Sequence, residues 1–417
     1  MTTLAEGRAQ RMPLVVRTVA IEDPGALLSL LPSDAPLAWL RRGAGLVGWG
    51  EAARLDTGGE DRFAATERWW RDVSAVAVVR DEVGLPGCGL VAFGSFAFAA
   101  QPGSSLLVVP QVVVGHRSGS WWVTTVGSGT LTAPPTLGAV SAARAPRQVV
   151  FSDGARSGTM WESVVADAVR RIDAGELEKV VLARDLVART DDPVDVRWPL
   201  QRLAESYPTC WTFHVGGLFG ATPEMLVRRE RGLVTSRVLA GTIRRSGDDA
   251  RDLALAASLA RSSKDLEEHE YAVRSVAEAL APHCTSMNVP ETPFVLHLPN
   301  VMHLATDVTG VMQDHTTSLG LAAALHPSAA VGGTPTAEAL GLIYEIEGMD
   351  RGRYAGPVGW IDTTGDGEWG IALRCGLIDG SSVRLFAGCG VVADSDPEAE
   401  LAEAQAKFVP VRDALGW

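Results

Sequence analysis

The sequence predicts an α+β fold with largely antiparallel sheets. Three observations lead there. Short strand-like segments come in runs. Helical segments are inserted between those runs instead of following each strand in turn. Near the C-terminus, Thr364-Gly365-Asp366-Gly367 and Asp379-Gly380 punctuate a meander of neighbouring strands. A parallel sheet would need a helix-length crossover after each strand, and that rhythm is missing.

Taken in order, strands are expected at Leu37–Leu40, Leu46–Trp49, Gly89–Phe98, Ser105–Val114 and Trp121–Thr125, with helical material near Ala65–Val78. A Pro- and Ala-rich connection, Leu131 to Arg147, follows. Trp161, Val164, Val165, Ala168, Val169 and Ile172 recur at helical spacing, and Gly175 stops that helix. Glu178 to Thr190 alternates as a strand, and further strands are expected at Trp211–Phe219, Glu224–Glu230 and Leu233–Ala240. A long helix should cover Asp248 to Leu280 with a break near Ser262. Then come a strand at Val301–Val311, helices at Thr317–Leu325 and Thr336–Glu347, strands at Val358–Asp362, Gly367–Ile378 and Ser382–Val391, and a terminal helix from Asp396 to Leu415.

The chain has 417 residues, 46% hydrophobic and 21% charged, enough apolar material for one large domain or two to three average ones. Its 37 basic and 50 acidic residues give a formal charge of 37 − 50 = −13. That balance argues against a nucleic-acid coat or a basic membrane-binding face, but a small anion answers to a local pocket. The N-terminal stretch carries Glu6 and no long apolar run, so no export signal is expected. The five cysteines are scattered and never spaced as CxxC, which predicts neither a disulfide framework nor a zinc site and points to a reduced, cytoplasmic protein.

Gly43-Ala44-Gly45-Leu46-Val47-Gly48 matches GxGxxG, but a dinucleotide loop needs a helix after it, and this stretch reads as a strand. The terminal helix is more informative. Glu400, Glu403 and Lys407 fall at i, i+3 and i+7 and share one face. The plainer reading is a solvated charged stripe. Against it stands the preceding apolar strand, which ends in Gly388-Cys389-Gly390 and gives backbone close access to a ligand. Glu268, in Lys264-Asp265-Leu266-Glu267-Glu268-His269-Glu270, could meet Glu403 across space, and carboxylate oxygens without thiolates suit Mg2+. Alone, that segment would be an exposed acidic helix.

Lys179 stands among apolar strand neighbours. Turned inward it is a candidate base, because desolvation favours the neutral amine; turned outward it is an ordinary surface lysine. Glu224, after Thr222-Pro223, is a candidate acid if buried and a strand-end carboxylate otherwise. Arg374 is the best fixed cation for a substrate carboxylate, by bidentate pairing, its plain alternative being a cross-strand ion pair. His303 is a ligand contact or a satisfied core histidine.

Together these segments resemble the chorismate-utilising enzyme family of isochorismate, salicylate, anthranilate and aminodeoxychorismate synthases. The resemblance rests on Glu178 to Arg184, Thr222-Pro223-Glu224, Leu239-Ala240-Gly241-Thr242, Ser263 to Glu270, His303-Leu304 and Ala324-Leu325-His326-Pro327. It continues through Gly356 to Trp360, Leu373-Arg374-Cys375, Ala387 to Gly390 and Glu400 to Lys407. These lie in family order over about residues 155–417, with 151–417 as the catalytic region and 1–150 as a variable N-terminal part of the same fold. The resemblance implies one large domain of two mostly antiparallel sheets layered with helices, the anthranilate synthase component I fold. It implies Mg2+ held by Glu268 and Glu403. The substrate, chorismate, would be bound by Gly241, Thr242, His303, Ala330, Tyr354, Leu373, Arg374, Gly388, Cys389, Gly390, Glu400 and Lys407. Cys389 departs from the alanine usual in the family.

The resemblance also implies a mechanism. Lys179 takes a proton from water attacking C2 of the ring, and protonated Glu224 donates to the departing C4 hydroxyl, giving isochorismate reversibly. Lys179 favours water over ammonia as nucleophile, so no glutaminase subunit is expected. Ala330 stands where salicylate synthases carry threonine, which favours isochorismate release over pyruvate elimination. A salicylate synthase and a non-catalytic chorismate binder are the alternatives. A monomer in a menaquinone or siderophore pathway fits this reading, with no nucleic-acid or membrane partner.

Overall fold

Backbone groups left at the edges of so many short strands must find partners, and here two sheets absorb them. The computed structural model describes residues 12–100, 103–130, 133–138 and 140–416. The N-terminal segment read for export signals lies outside them as far as residue 11, as do three residues of the Pro- and Ala-rich connection. Strands of the described residues form a 13-stranded and a 10-stranded sheet. Among the described residues, Leu14–Ile21 and Val78–Asp81 pair in parallel and every other pairing is antiparallel. Eight α-helices among the described residues pack on the sheets, as the predicted α+β class requires.

Both parts of the chain share both sheets. Leu37–Arg41 pairs with Trp211–Val215 in the larger sheet, and Val91–Ser95 pairs with Pro357–Asp362 in the smaller. Large buried side chains, among them Trp39, Phe93, Phe96, Phe213 and Trp369, fill one extensive core. Fully burying such aromatic groups contributes about 1.5–3 kcal/mol each.

Three segments expected as single strands are each two. Ser105–Val114 divides into Ser104–Val109 in the smaller sheet and Val112–Arg117 in the larger. Pro110 separates them; it lacks the N–H a continuous ladder needs. Trp211–Phe219 is a hairpin, Trp211–Val215 and Leu218–Thr222, turning at Gly216 and Gly217 with φ +56° and +84°. Gly367–Ile378 passes from the smaller sheet (Gly367–Ile371) to the larger (Cys375–Asp379) through Ala372-Leu373-Arg374. A matching passage at Pro223-Glu224 joins Leu218–Thr222 to Met225–Glu230 in the opposite sheet. The two passages lie side by side: the Ile371 amide donates to the Glu224 carbonyl at 3.3 Å, and the Ala221 amide to the Arg374 carbonyl at 3.2 Å.

The expected long helix is broken where predicted, into Asp249–Leu259 and Ser263–Leu280, with the Ser262 hydroxyl accepting from the Asp265 amide as an N-cap. Asp396 caps the terminal helix Pro397–Ala414 in the same way. The GxGxxG match is a hairpin turn and the strand Ala44–Trp49, so it forms no nucleotide loop. Strands at Leu14–Ile21, Ala53–Gly58, Cys284–Asn288 and Phe294–His297 and the helix Arg197–Ser206 were not anticipated. All five cysteines are free and buried. Among the described residues, no helix is long and apolar enough to cross a membrane.

Candidate active site

The two neighbouring passages open onto a cavity of about 260 Å³ at the seam of the sheets. Helix Ser263–Leu280, packed on strand Leu233–Arg244, supplies Asp265 and Glu268 to its wall. The terminal helix, packed on strand Ser382–Val391, supplies Glu400, Glu403 and Lys407. The helical spacing of these three therefore marks an inward face. Every residue singled out from the sequence lines the cavity except Lys179. Lys179 is 1% exposed and adjoins that wall, with its Nζ donating to Glu268 Oε1 at 2.7 Å. Gly390 makes room for that pair: a Cβ there would lie 2.7 Å from Glu268 Oε1 and 3.0 Å from Lys179 Cε.

Glu224 is buried on the first passage, its amide donating to the Thr222 hydroxyl at 3.2 Å. Burial pushes its carboxyl up to about 8, against weaker opposing pulls from the Leu239 amide and the charges of Arg374, Lys179 and Lys407. The carboxyl therefore carries a proton at neutral pH, the state a general acid needs.

On the second passage Arg374 has φ +48° and is buried; Ala355, also on the wall, has φ +62°. Left-handed backbone at non-glycine positions costs about 1 kcal/mol or more and persists only where surroundings enforce it. Here it turns the Arg374 guanidinium toward His303, with Nη2 donating to Nε2 at 3.4 Å. Burial, then the charges of Arg374 and Lys407, hold His303 well below its ordinary value, so the imidazole is neutral. Since Nε2 accepts from arginine, Nδ1 carries the proton and donates to Thr242 Oγ1 at 3.1 Å. Thr242 follows a bulge at Gly241, where φ is +76° and the strand register shifts.

Lys407 donates to the Gly388 carbonyl at 2.8 Å and pairs with Glu403 at 2.6 Å. Burial opposes its charge, but Glu403 carries the balance upward, so it remains a cation. Ser395 donates to Glu400 Oε1 at 2.8 Å. The Cys389 thiol donates to the Glu400 carbonyl at 3.3 Å, and burial keeps it protonated and inert. Burial likewise pushes the Tyr354 hydroxyl up; its ring stacks on Phe386 at 5.2 Å.

The wall thus joins fixed cations, Arg374 and Lys407, to a neutral acid and to the carboxylates Glu268 and Glu403. Among the described residues, no group of three or more His, Cys, Asp or Glu side chains is arranged to hold a metal ion. Two oxygen donors on facing helices suit a hard cation that keeps water and binds its substrate's oxygens as well. Asp265 and Arg351 also line the cavity and were not singled out. Asp265 lies three residues before Glu268 on one helix face, a spacing that could have revealed it. Arg351 had no such signal.

A family model described as chorismate binding enzyme matches residues 36–416. The isochorismate synthase MenF of Bacillus subtilis is 38% identical over 61% of this chain, a match spanning 55% of that protein's length. The salicylate biosynthesis isochorismate synthase of Pseudomonas aeruginosa is 34% identical over 91% of this chain and 84% of its own. The crystal structure of DhbC from Bacillus anthracis superposes with a TM-score of 0.78 at 32% identity, covering 94% of this chain and 98% of that one.

Proposed function

The chain belongs to the chorismate-binding enzymes, and from that premise we propose that it is an isochorismate synthase, converting chorismate reversibly to isochorismate. One observation carries the reading: a buried carboxyl held protonated at neutral pH faces a small cavity that also contains Arg374, Lys407 and a carboxylate partnered by Lys179. The relatives named above as isochorismate synthases support the same reaction.

In this reading Arg374 and Lys407 bind the carboxylates of the substrate, and Thr242 and His303 orient it. Neutral His303 offers no competing charge. Glu224 donates its proton to the departing C4 hydroxyl, and Lys179 accepts one from the water that attacks C2. The attacking water leaves its hydroxyl on C2 and the C4 hydroxyl departs with the Glu224 proton as water, so one water enters, one leaves, and the product is an isomer. Glu268 and Glu403 hold Mg2+, which when bound supplies orientation and charge stabilisation for the substrate carboxylate. Ala330, on the cavity wall, stands where salicylate synthases carry threonine, which favours isochorismate release over pyruvate elimination. The enzyme acts as a cytoplasmic monomer without a glutaminase subunit; the five free, buried cysteines fit a reducing compartment.

Incubation with chorismate and Mg2+, with products resolved by chromatography, tests the assignment. Isochorismate alone supports it. Salicylate with pyruvate reassigns the chain to salicylate synthesis, and unchanged chorismate reduces it to a binder.

A further inference from the structure

Strand Lys179–Arg189 pairs along one edge with Ser382–Val391 over most of its length. Its other edge is incomplete. Lys179 and Val180 pair with Thr334 and Gly333, the Val181 amide donates to the Gly332 carbonyl at 2.8 Å, and Leu186–Arg189 pair with Val150–Asp153, but among the described residues no strand covers the middle. Side chains take the place of the missing strand. Arg351 Nη2 donates to the Val181 carbonyl at 2.6 Å, and the Ala183 amide donates to Glu347 Oε2 at 2.8 Å. Trp161 Nε1 donates to the Ala183 carbonyl at 3.1 Å.

Arg351 and Glu347 are also paired to each other, Nε to Oε1 at 2.8 Å and Nη2 to Oε2 at 2.5 Å, with side chains 3% and 1% exposed. The guanidinium has one more bond, Nη1 to the Val331 carbonyl at 2.9 Å. Three backbone segments therefore meet on one ion pair: the end of helix Thr336–Ile346, the strand that carries Lys179, and the loop that carries Ala330. Val181, Ala330, Val331 and Arg351 all lie on the cavity wall. Side chains alternate along a strand, so Lys179 and Val181 share a face. Fixing the carbonyl of Val181 fixes the root of Lys179.

A buried ion pair is a poor device for stability alone, because apolar residues of similar volume commonly replace it without loss. Its value lies in geometry. We propose that Glu347–Arg351 is a positioning pair for the reaction proposed above, setting where Lys179 and the Ala330–Val331 wall stand relative to the bound ring. The pair rests on that functional reading and touches neither carboxylate proposed for Mg2+.

The test is the double variant Arg351→Met/Glu347→Leu, alongside Glu347→Gln, which keeps an acceptor for the Ala183 amide. The wild type is assayed first; if it leaves chorismate unchanged, the functional reading fails and this one with it. With an active wild type, the double variant is expected to lose about a hundredfold in kcat with KM for chorismate unchanged. Glu347→Gln should fall between the two. Hydrogen exchange should quicken at Val181 to Ala183 in the double variant and stay unchanged in helix Ser263–Leu280. A folded double variant with wild-type kcat overturns the proposal, as does a loss of kcat matched by an equal rise in KM. If the double variant does not fold, Glu347→Gln decides: wild-type kcat in that folded protein also overturns it.

Discussion

Glu224→Gln separates the chemistry of this site from its stability, because one buried proton governs both. The folded state raises the carboxyl from 4.5 to about 8, chiefly by burial. A group raised on folding contributes stability that is whole below its unfolded value and lost as pH climbs through its folded value. Here the loss begins near pH 4.5 and is complete above about pH 8, at about 1.4 kcal/mol per pH step. Between pH 4.5 and 7 the wild type therefore gives up about 3 kcal/mol through this one residue. Glutamine keeps the shape and has no proton to lose. Other groups titrate alike in both proteins and cancel in the difference. In urea denaturation, the variant should match the wild type near pH 4.5 and exceed it by about 3 kcal/mol at pH 7. It should also lose about 10²–10⁴-fold in kcat, since an amide cannot donate to the departing hydroxyl. In the wild type, kcat/KM should fall as pH rises above about 8, as the acid form disappears. A stability difference that stays flat between pH 4.5 and 7 refutes the burial argument. A variant with more than a tenth of wild-type kcat refutes the acid role.

Other perturbations address the remaining groups. Lys179→Ala should abolish turnover while calorimetry still detects Mg2+-dependent chorismate binding; full activity would remove Lys179 from the proton transfer. Glu403→Gln should raise the Mg2+ concentration for half-maximal rate by more than about tenfold, seen in metal titrations after chelation. Arg374→Lys should raise KM for chorismate by about tenfold or more, because an ammonium cannot reproduce bidentate pairing. Cys389→Ala should leave kcat and KM at wild-type values in steady-state assays, since the protonated thiol only caps the Glu400 carbonyl.

What the sequence made legible follows a physical division. Helix faces are periodic, so Glu400, Glu403 and Lys407 could be read as one surface before any cavity was in view. Caps are local, so the break at Ser262 was visible too. The passages between sheets were not. Gly367–Ile378 reads as one strand because both halves are buried and apolar, and periodicity cannot tell which sheet receives each half. Yet the passage within it carries Arg374, and its neighbour carries Glu224. Backbone that leaves one sheet for another is free of ladder geometry, so it can hold a left-handed arginine or bury a carboxyl against the seam. The same limit hid Arg351, whose partners are backbone groups far away in sequence. Lys179 shows the same limit. Its apolar strand neighbours left both orientations open, and its contact with Glu268 depends on Gly390, across the sheet, having no side chain. An alanine at 390 would put a Cβ 2.7 Å from Glu268 Oε1 and 3.0 Å from Lys179 Cε and displace the Lys179–Glu268 contact. Gly390→Ala should therefore lower kcat with the fold intact. Wild-type turnover in that variant would mean that the Lys179–Glu268 contact does not matter to the reaction.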